Sequence, residues 1–264
     1  MSTTDCQIFF NTIYPLLLGK AVPKYKQSDC CSSTSYTLTC TNNRLTKIDL
    51  SNNQLSGSIP PSISNLQSLE YLWLHQNRLS GTIPTEIGSI KSLKEIFVQQ
   101  NDLTGTIPES IGTLTNLQGL AVSTNKFTGT IPTSIWKLTQ LTQIWLYKNQ
   151  FTGNIPPEIG SLTNLKILGV FETQISGSIP SQIGNLINLQ YMRLYENKLN
   201  GPIPPEIGSL TNLKELDLHS NEISGSIPVS IRKLTNLQKL WLYHNELSGP
   251  IPSEIGQLLL LQEL

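Results

Sequence analysis

A leucine recurs every 24 residues along most of this chain, and no other sequence feature constrains its fold as tightly. It stands at positions 45, 69, 93, 117, 141, 165, 189, 213, 237 and 261. The common unit reads LxxLxLxxNxLxGxIPxxIGxLxx, and a fixed period of this length indicates a repeat architecture of stacked coils. One coil cannot bury its apolar residues alone, so neighbouring coils must stack and share a continuous core.

The repeated positions have structural reasons. In one unit Leu93, Ile96 and Val98 place apolar side chains on one face of a short strand. A recurring asparagine follows the strand, where its amide can satisfy backbone groups that a turning chain leaves unpaired. A recurring glycine permits a backbone conformation that other residues resist. The asparagines are at 53, 77, 101, 125, 149, 197, 221 and 245, with Thr173 as the exception, and the glycines are at 57, 81, 105, 129, 153, 177, 201 and 225.

The outward strand positions carry an excess of aromatic residues. Successive strand side chains point to opposite faces, so nine repeats with three outward positions each give 27 outward sites. Ten of these 27 sites are Phe, Trp or Tyr, whereas 18 aromatic residues in a 264-residue chain would place about two there by composition. A large exposed apolar surface usually marks an interaction site. The predicted ligand contacts are Tyr71, Trp73, His75, Phe97, Gln99, Gln143, Trp145, Tyr147, Phe171, Tyr191, Arg193, Tyr195, Asp217, His219, Trp241 and Tyr243.

An alternative is that the aromatic residues suit strands and stack on one another across the sheet without a ligand. This alternative predicts aromatic residues in every repeat, but the fourth carries only small residues at 119, 121 and 123. They lie between Phe97 and Trp145. Because strands are about 4.8 Å apart, the small residues predict a trough about 10 Å long that would suit a flat, elongated ligand.

Four cysteines, Cys6, Cys30, Cys31 and Cys40, lie in the first 40 residues, and none follows. This clustering predicts a stapled terminal cap, although four cysteines allow three pairings. A zinc site is the alternative, but no histidine precedes His75 and no CxxC occurs. We expect disulfides, which indicate an oxidising compartment.

The charge balance excludes several classes of partner. Lys plus Arg and Asp plus Glu number 18 each, and the sequence pI is about 6.8, so the chain lacks the basic surface that nucleic acids or anionic membranes require. No run approaches the roughly 20 apolar residues of a membrane helix. Residues 6–19 space their apolar residues like one face of a helix, so we expect that a signal peptide is absent from this sequence.

We predict no catalytic residue, no cofactor and no metal site. His75 and His219 are six coils apart, and no Ser or Cys nucleophile is poised between Asp217 and His219. Glu215 and Asp217 could mimic a glycosidase pair, but no cleft-forming insertion is expected to bury either carboxylate and shift its pKa. Trp136 replaces the glycine of "TSIWKL" on the other side of the coil, where packing is favoured over a second contact surface.

The repeats, with their LSGxIP segment, resemble the plant-specific class of extracellular leucine-rich repeats over Leu45 to Leu264. That class includes polygalacturonase-inhibiting proteins and receptor-kinase ectodomains. The resemblance implies an α/β solenoid, a curved and twisted right-handed coil stack whose parallel β-sheet lines a concave ligand-binding side, behind a helical cap. We therefore expect a cap at 1–44 and a solenoid at 45–264 with nine complete repeats and a truncated tenth.

The segment "SDCCSSTSYTLTC" (28–40) resembles the N-terminal cap of the same class. The resemblance implies that Cys6 pairs with Cys30 and that Cys31 pairs with Cys40. It also implies an extracellular or secreted protein. The segment "GQLLLLQEL" departs from the repeat, and we expect the uncapped edge near it to meet further coils or another chain.

The leading hypothesis for function is a non-catalytic module that binds an extended polysaccharide, such as plant cell-wall β-glucan. Aromatic faces attract the C–H groups of sugar rings, and the strand spacing of about 4.8 Å is comparable to one sugar unit. The alternative is recognition of a protein or peptide, as in a receptor ectodomain or an enzyme inhibitor. Trp, Tyr and Arg are also enriched at protein-binding hot spots, so composition does not separate the two hypotheses.

Overall fold

The computed structural model describes residues 4–20, 24, 30–31 and 37–264. The parts of the expected cap at 1–3, 21–23, 25–29 and 32–36 lie outside the described residues. The chain divides into two compact units, Met1–Thr128 and Gly129–Leu264, here called unit 1 and unit 2. The boundaries expected at 1–44 and 45–264 stay a prediction.

The cap is helical from Asp5 to Leu18. A capping box begins the helix. The backbone N–H of Gln7 donates to the Thr4 hydroxyl, and the backbone N–H of Thr4 donates to Gln7 Oε1. The apolar side chains of Phe9, Ile13 and Leu17 are buried, as their spacing predicts. The helical segments are Asp5–Ile8, a π-helical turn at Phe9–Ile13, and Tyr14–Leu18.

Two disulfides close the cap, joining Cys6 to Cys30 and Cys31 to Cys40. This is the pairing that the resemblance implies, and it occupies the sulfur atoms that a zinc ion would need. The buried carboxylate of Asp5 ties the cap to the first repeat, because its Oδ2 accepts hydrogen bonds of 2.9 Å from Arg44 Nε and from the backbone of residue 45.

The end of the cap helix pairs with the first repeat through backbone hydrogen bonds. The N–H groups of 56–58 donate to the carbonyls of 16–18 over 3.0–3.2 Å. A methyl group at Gly57 would lie 1.8 Å from the carbonyl oxygen of Leu16, so this glycine is required by close approach. The equivalent glycines from Gly81 to Gly249 instead have φ between 69° and 88°, the conformation that the repeat predicts.

Among the described residues, the main sheet of unit 1 consists of one antiparallel and several parallel pairings. Its strands are Leu38–Thr41, Arg44–Asp49, Tyr71–Trp73, Glu95–Phe97 and Gly119–Ala121. On the other side of the coils Thr104–Gly105 pairs with Lys126–Thr130 in parallel. The 3-10 helices of unit 1 are Pro61–Asn65, Thr85–Ser89 and Glu109–Thr113.

Unit 2 repeats the same arrangement. Its main sheet is parallel and consists of Gln143–Trp145, Ile167–Gly169, Tyr191–Arg193, Glu215–Asp217 and Lys239–Trp241. A second parallel sheet joins Ser176–Ser178, Lys198–Pro202, Glu222–Gly225 and Glu246–Leu247, and a further strand is Gln150–Thr152. The 3-10 helices are Thr133–Lys137, Pro157–Ser161, Ser181–Asn185, Pro205–Ser209, Val229–Lys233 and Ser253–Gln257.

The recurring asparagine satisfies the backbone at each turn, as predicted. The amide of Asn77 donates to the carbonyls of residues 50 and 74, and its Oδ1 accepts from the N–H groups of residues 53 and 55, all within 2.8–3.0 Å. Where Thr173 interrupts the series, its hydroxyl bonds to Oδ1 of Asn197. The hydroxyl of Thr173 therefore provides a hydrogen bond to the asparagine of the next coil.

The residue before the turn asparagine adopts a left-handed conformation without being glycine. Its φ lies between 50° and 58° in the coils, a range that costs roughly 1–2 kcal/mol for an L-residue. The repeat pattern gives no sign of this, because the position is not conserved as glycine from coil to coil. The residues are Asn52, Gln76, Gln100, Thr124, Lys148, Glu196, Ser220 and His244, together with Glu172 before Thr173.

Two further features bear on where ligands can bind. Trp136 is fully buried, so the structure favours its role in packing over a second contact surface. Several apolar side chains of the last coil are exposed, including Leu259 at 88% and Leu264 at 66%. Within the described part of the chain, no helix is both long and apolar enough to span a membrane.

Candidate functional site

The main sheet of each unit alternates buried and outward side chains as the sequence predicts. Leu72 is buried between the half-buried Tyr71 and Trp73 in unit 1, and Met192 is buried between Tyr191 and Arg193 in unit 2. The rings of Phe97, Trp145 and Trp241 are likewise partly exposed. The outward side chains of each main sheet, here called the outer face, thus carry the predicted aromatic groups.

In unit 1 the rings on the outer face pack against one another. Trp73 and Phe97 stack with centroids 5.9 Å apart at 11°, and Tyr71 meets Trp73 edge-on. The Lys47 ammonium lies 3.9 Å from the Trp73 ring centroid, and the indole N–H donates to Glu95 Oε2 over 2.9 Å. Side chains from the coils on both sides of Trp73 therefore already contact its ring.

Two polar atoms beside these rings are buried without a hydrogen-bond partner among the described residues, His75 Nδ1 and Gln99 Oε1. Burial lowers the pKa of His75 because it disfavours the imidazolium, and the opposing charge of Asp49 only partly offsets that effect. Unsatisfied buried groups each cost about 1–3 kcal/mol. Unit 1 thus has unused hydrogen-bonding capacity next to its stacked rings.

In unit 2 five rings form a continuous column, here called the ring stack. Successive centroids are 4.2–4.5 Å apart, and successive planes differ by 6–19°. The interior rings have both faces covered, and Phe171 is only 7% exposed, so it does not offer the open ring that its prediction as a ligand contact assumed. The rings are Tyr147, Phe171, Tyr195, His219 and Tyr243.

Trp145 lies over Gly169 of the next coil. A methyl group at Gly169 would be 2.6 Å from Trp145 Cε3, so the indole depends on the missing side chain. The indole N–H donates to Gln143 Oε1 over 3.2 Å, and the Arg193 guanidinium lies 5.9 Å from the ring centroid. Gly169 therefore positions a predicted contact residue, a role that its lack of a side chain hid in the sequence.

A cleft with a volume of about 440 Å³ opens on the outer face of unit 2. Its floor is the row Glu215, Asp217 and His219, whose side chains are recessed to 9%, 2% and 13% exposure between the longer side chains of the adjacent coils. Those three residues are here called the recessed row. The cleft is lined by Phe171, Arg193, Tyr195, Glu215, Asp217, His219, Lys239, Trp241 and Tyr243.

The two basic side chains of the cleft are both paired. Arg193 donates from Nε and Nη2 to the two oxygens of Glu215 over 2.5 and 2.8 Å, and this hydrogen bonding raises the pKa of Arg193. Lys239 Nζ lies 2.8 Å from Glu263 Oε1. Neither Glu215 nor Lys239 was among the predicted contacts, although opposite charges at the same position of adjacent repeats were a signal for the Lys239–Glu263 pair.

Among the described residues Asp217 forms no ion pair with a lysine or arginine, although Arg193 lies close enough to interact with its charge. Its Oδ1 lies 2.5 Å from His219 Nδ1, and burial raises the pKa of Asp217 despite that hydrogen bond. The expectation that no feature would bury Glu215 or Asp217 is therefore wrong. Their own neighbours in the stacked coils enclose them, at 7% and 1% residue exposure, so no insertion is needed.

The cleft brings together some of the predicted ligand contacts. Of the predicted contacts in unit 2, those outside its lining are Gln143, Trp145, Tyr147 and Tyr191. The predicted contacts of unit 1 form the separate group around Trp73. The trough expected between Phe97 and Trp145 would join residues of the two units and stays a prediction.

Comparison with known proteins places the chain in a family. A family model described as "Leucine-rich repeat region" matches residues 42–178 and 173–264. No curated protein gives a significant match. Three of the similar solved structures, all from plants, carry the comparison further.

The ectodomain of the Arabidopsis thaliana receptor kinase GASSHO1/SCHENGEN3, solved with CASPARIAN STRIP INTEGRITY FACTOR 2, is 35% identical with a TM-score of 0.86 and matches 89% of this chain. The plant peptide hormone receptor RGFR1, solved with RGF2, is 40% identical with a TM-score of 0.77 and matches 83% of this chain. The chain spans only 28% and 39% of those two proteins.

A plant ice-binding protein is 27% identical with a TM-score of 0.72, and the match covers 96% of this chain and 89% of that one. The repeats, the disulfide-closed cap and these similarities agree with one another. The chain belongs to the leucine-rich repeat family, as a non-catalytic module of the plant extracellular type related to receptor-kinase ectodomains.

Proposed function

We propose that the chain is a peptide-recognition module that binds an extended peptide along the outer face of unit 2. The observation that carries this proposal is the cleft of about 440 Å³, in which aromatic walls surround a charged and recessed floor. Pockets that combine apolar walls with a few placed polar groups are the usual form of a ligand site.

The orientation of the rings supports a peptide over a glycan. Sugar rings bind aromatic side chains through the ring faces, whose negative charge attracts C–H groups. In the ring stack those faces are covered by neighbouring rings 4.2–4.5 Å away, and the Trp73 ring is occupied by Lys47 and Phe97. The exposed edges, hydroxyls and paired charges suit the mixed chemistry of a peptide chain.

The similar structures support the same proposal. RGFR1 was solved with RGF2, and the receptor kinase HAESA, 26% identical to this chain, was solved with the peptide hormone IDA and a co-receptor. A site built on rigid strands, as here, holds its side chains in fixed positions before the ligand arrives. We therefore infer that this chain takes an extended peptide ligand.

A direct test passes a random decapeptide library and, separately, a panel of soluble β-glucans over the immobilised chain. Wild type is expected to retain a subset of peptides, and Trp241→Ala to lose them, because truncating an aromatic hot spot typically weakens binding at least thirtyfold, about 2 kcal/mol. Ile187→Ala, an exposed apolar residue outside the cleft, is the matched control. Retention of glucans without any peptide would overturn the proposal.

A second candidate function is binding to ice, and hydroxyl side chains on the other side of the coils favour it. Exposed Ser and Thr of unit 1 lie beside the recurring glycines, and several donate to backbone carbonyls of the preceding coil over 3.2–3.4 Å, which fixes their orientation. The ice-binding relative matches this chain over nearly its whole length. The hydroxyl residues are Ser58, Ser80, Thr82, Thr104, Thr106 and Thr128.

Ice recrystallisation assays test this second function. If the hydroxyl surface binds ice, the chain is expected to slow the growth of ice grains, and Thr106→Lys to abolish the effect by interrupting the array. Thr139→Lys, at an exposed position outside that array, should retain it. Grain growth equal to that of a buffer with bovine serum albumin would rule the function out.

A further inference from the structure

The charges around the cleft of unit 2 do not balance. Arg193 is paired with Glu215, and Lys239 is paired with Glu263, so these four charges cancel in two pairs. What remains is the carboxylate of Asp217 on the floor.

Glu196, beside the cleft, adds a second carboxylate that pairs with no lysine or arginine among the described residues. Its side chain is 55% exposed, and its Oε1 lies 4.0 Å from Nε2 of His219, whose other nitrogen contacts Asp217. The imidazole therefore stands between two carboxylates, and neither forms an ion pair with a lysine or arginine in the part of the chain that the structure describes.

The same negative charge affects the pKa of the neighbouring Tyr195. Burial raises the pKa of Tyr195 to about 12, helped by the carboxylates of Glu172, Asp217 and Glu196, while Arg193 acts in the opposite direction. A buried carboxylate is screened less than an exposed one, so its field extends into the cleft. The positions of the carboxylates and the count of charges thus both indicate a negative potential in the cleft.

The walls of the cleft suit a cation as well. Trp241 and Tyr243 line it, and aromatic ring faces attract ammonium and guanidinium groups. Lys239 Nζ already lies 4.9 Å from the Trp241 ring centroid, and the faces of Tyr195 are covered by Phe171 and His219, so Tyr243 is the ring most open to an incoming cation. Tyr243 is 53% exposed and forms the open end of the ring stack. An incoming basic side chain would meet aromatic rings on the wall and carboxylates at the floor and rim.

We propose that the cleft of unit 2 is a subsite for a basic side chain, arginine or lysine, of the bound peptide. This inference rests on the proposed peptide function and specifies the class of residue that the peptide carries. Asp217 acts through its charge because its side chain is buried, whereas Glu196 and Tyr243 are exposed and open to direct contact.

The first measurement uses small probes and does not depend on peptide binding. N-acetyl-arginine amide, N-acetyl-lysine amide, N-acetyl-glutamine amide and N-acetyl-glutamate amide are titrated separately into the ¹⁵N-labelled chain. The indole N–H resonance of Trp241 is expected to shift with the two basic probes and to stay unchanged with the other two. Equal shifts with the glutamine probe would overturn the inference.

The second measurement sequences the decapeptides retained from a random library. Wild type is expected to enrich arginine or lysine at one position, and Asp217→Asn and Glu196→Gln each to lower that enrichment about tenfold or more, as expected for a lost interaction with a charged group. Asp49→Asn, in the same column of unit 1 and paired there with Lys47, is the matched control and should keep it. Glu196 is exposed, so its variant remains informative if Asp217→Asn fails to fold.

The outcomes separate the inference from the function on which it rests. Peptides retained without basic enrichment, or enrichment unchanged in both variants, would overturn the basic subsite and leave peptide recognition standing. A library that yields no retained peptide, together with a Trp241 shift caused by the arginine probe, would support the cation subsite and overturn peptide recognition.

Discussion

Gly57 offers the sharpest test of how the cap is attached to the repeats. Replacing it with alanine would put a methyl group 1.8 Å from the Leu16 carbonyl oxygen and 2.8 Å from its carbon. Both neighbours are backbone atoms, which cannot rotate away as a side chain would. The end of the cap helix must therefore retreat from residues 56–58.

The magnitude follows from the contacts that this retreat breaks. Three backbone hydrogen bonds of 3.0–3.2 Å join 56–58 to 16–18. At about 0.5–1.5 kcal/mol net for each bond, Gly57→Ala is expected to lower the free energy of unfolding by about 1.5–4.5 kcal/mol. The disulfides keep the displaced cap tethered, so the loss should appear as local opening as well as lower stability.

Urea unfolding followed by circular dichroism measures the stability, and hydrogen exchange of amides 56–58 measures the local opening. Gly256→Ala is the matched control, since nothing lies within 4 Å of a methyl group there. Gly81→Ala separates the two reasons for glycine, because its φ of 77° strains alanine although the nearest atom is 3.5 Å away. The reasoning fails if Gly57→Ala matches Gly256→Ala and amides 56–58 remain protected.

Three further predictions concern the repeats. His75 has a pKa lowered by burial, so the unfolded chain binds its proton more readily; the free energy of unfolding should fall between pH 8 and pH 5, and His75→Gln should flatten that fall in urea titrations at the two pH values. Asn77→Ala removes the side-chain partner of the carbonyl of residue 50 and of the N–H groups of residues 53 and 55, and should lower the free energy of unfolding by at least about 3 kcal/mol, with Asn116→Ala, whose amide makes an exposed bond, as the control. Gly169→Ala should displace Trp145 and change the near-ultraviolet circular dichroism while the far-ultraviolet spectrum stays constant; an unchanged near-ultraviolet spectrum would contradict the packing described.

The 24-residue period predicted the architecture because each repeated residue has one structural role. Buried positions such as Leu72 and Met192 follow from strand alternation, and the asparagine hydrogen bonds follow from the need to satisfy a turning backbone. These are local rules that repeat identically from coil to coil. They need no knowledge of side-chain torsions.

The character of the outer face was less predictable. Alternation sets the direction of each Cβ atom but not the plane of the ring beyond it, so it could not show that the faces of Phe171 and Tyr195 are covered. The signal was present in the columns, where rings recur at the same position of successive repeats. Burial of Asp217 depends on the height of the side chains beside it, which a search for insertions overlooks.

The left-handed residue before each turn asparagine is a position at which the stability of the solenoid can be increased. Every coil that carries a side chain there holds backbone strain that asparagine tolerates better and glycine avoids. Most of these side chains are exposed and lie past the strand, so exchanging them while Glu196 is kept would raise the melting temperature without altering the cleft. A hardened scaffold of this kind would let damaging substitutions in the recessed row be studied in a chain that still folds.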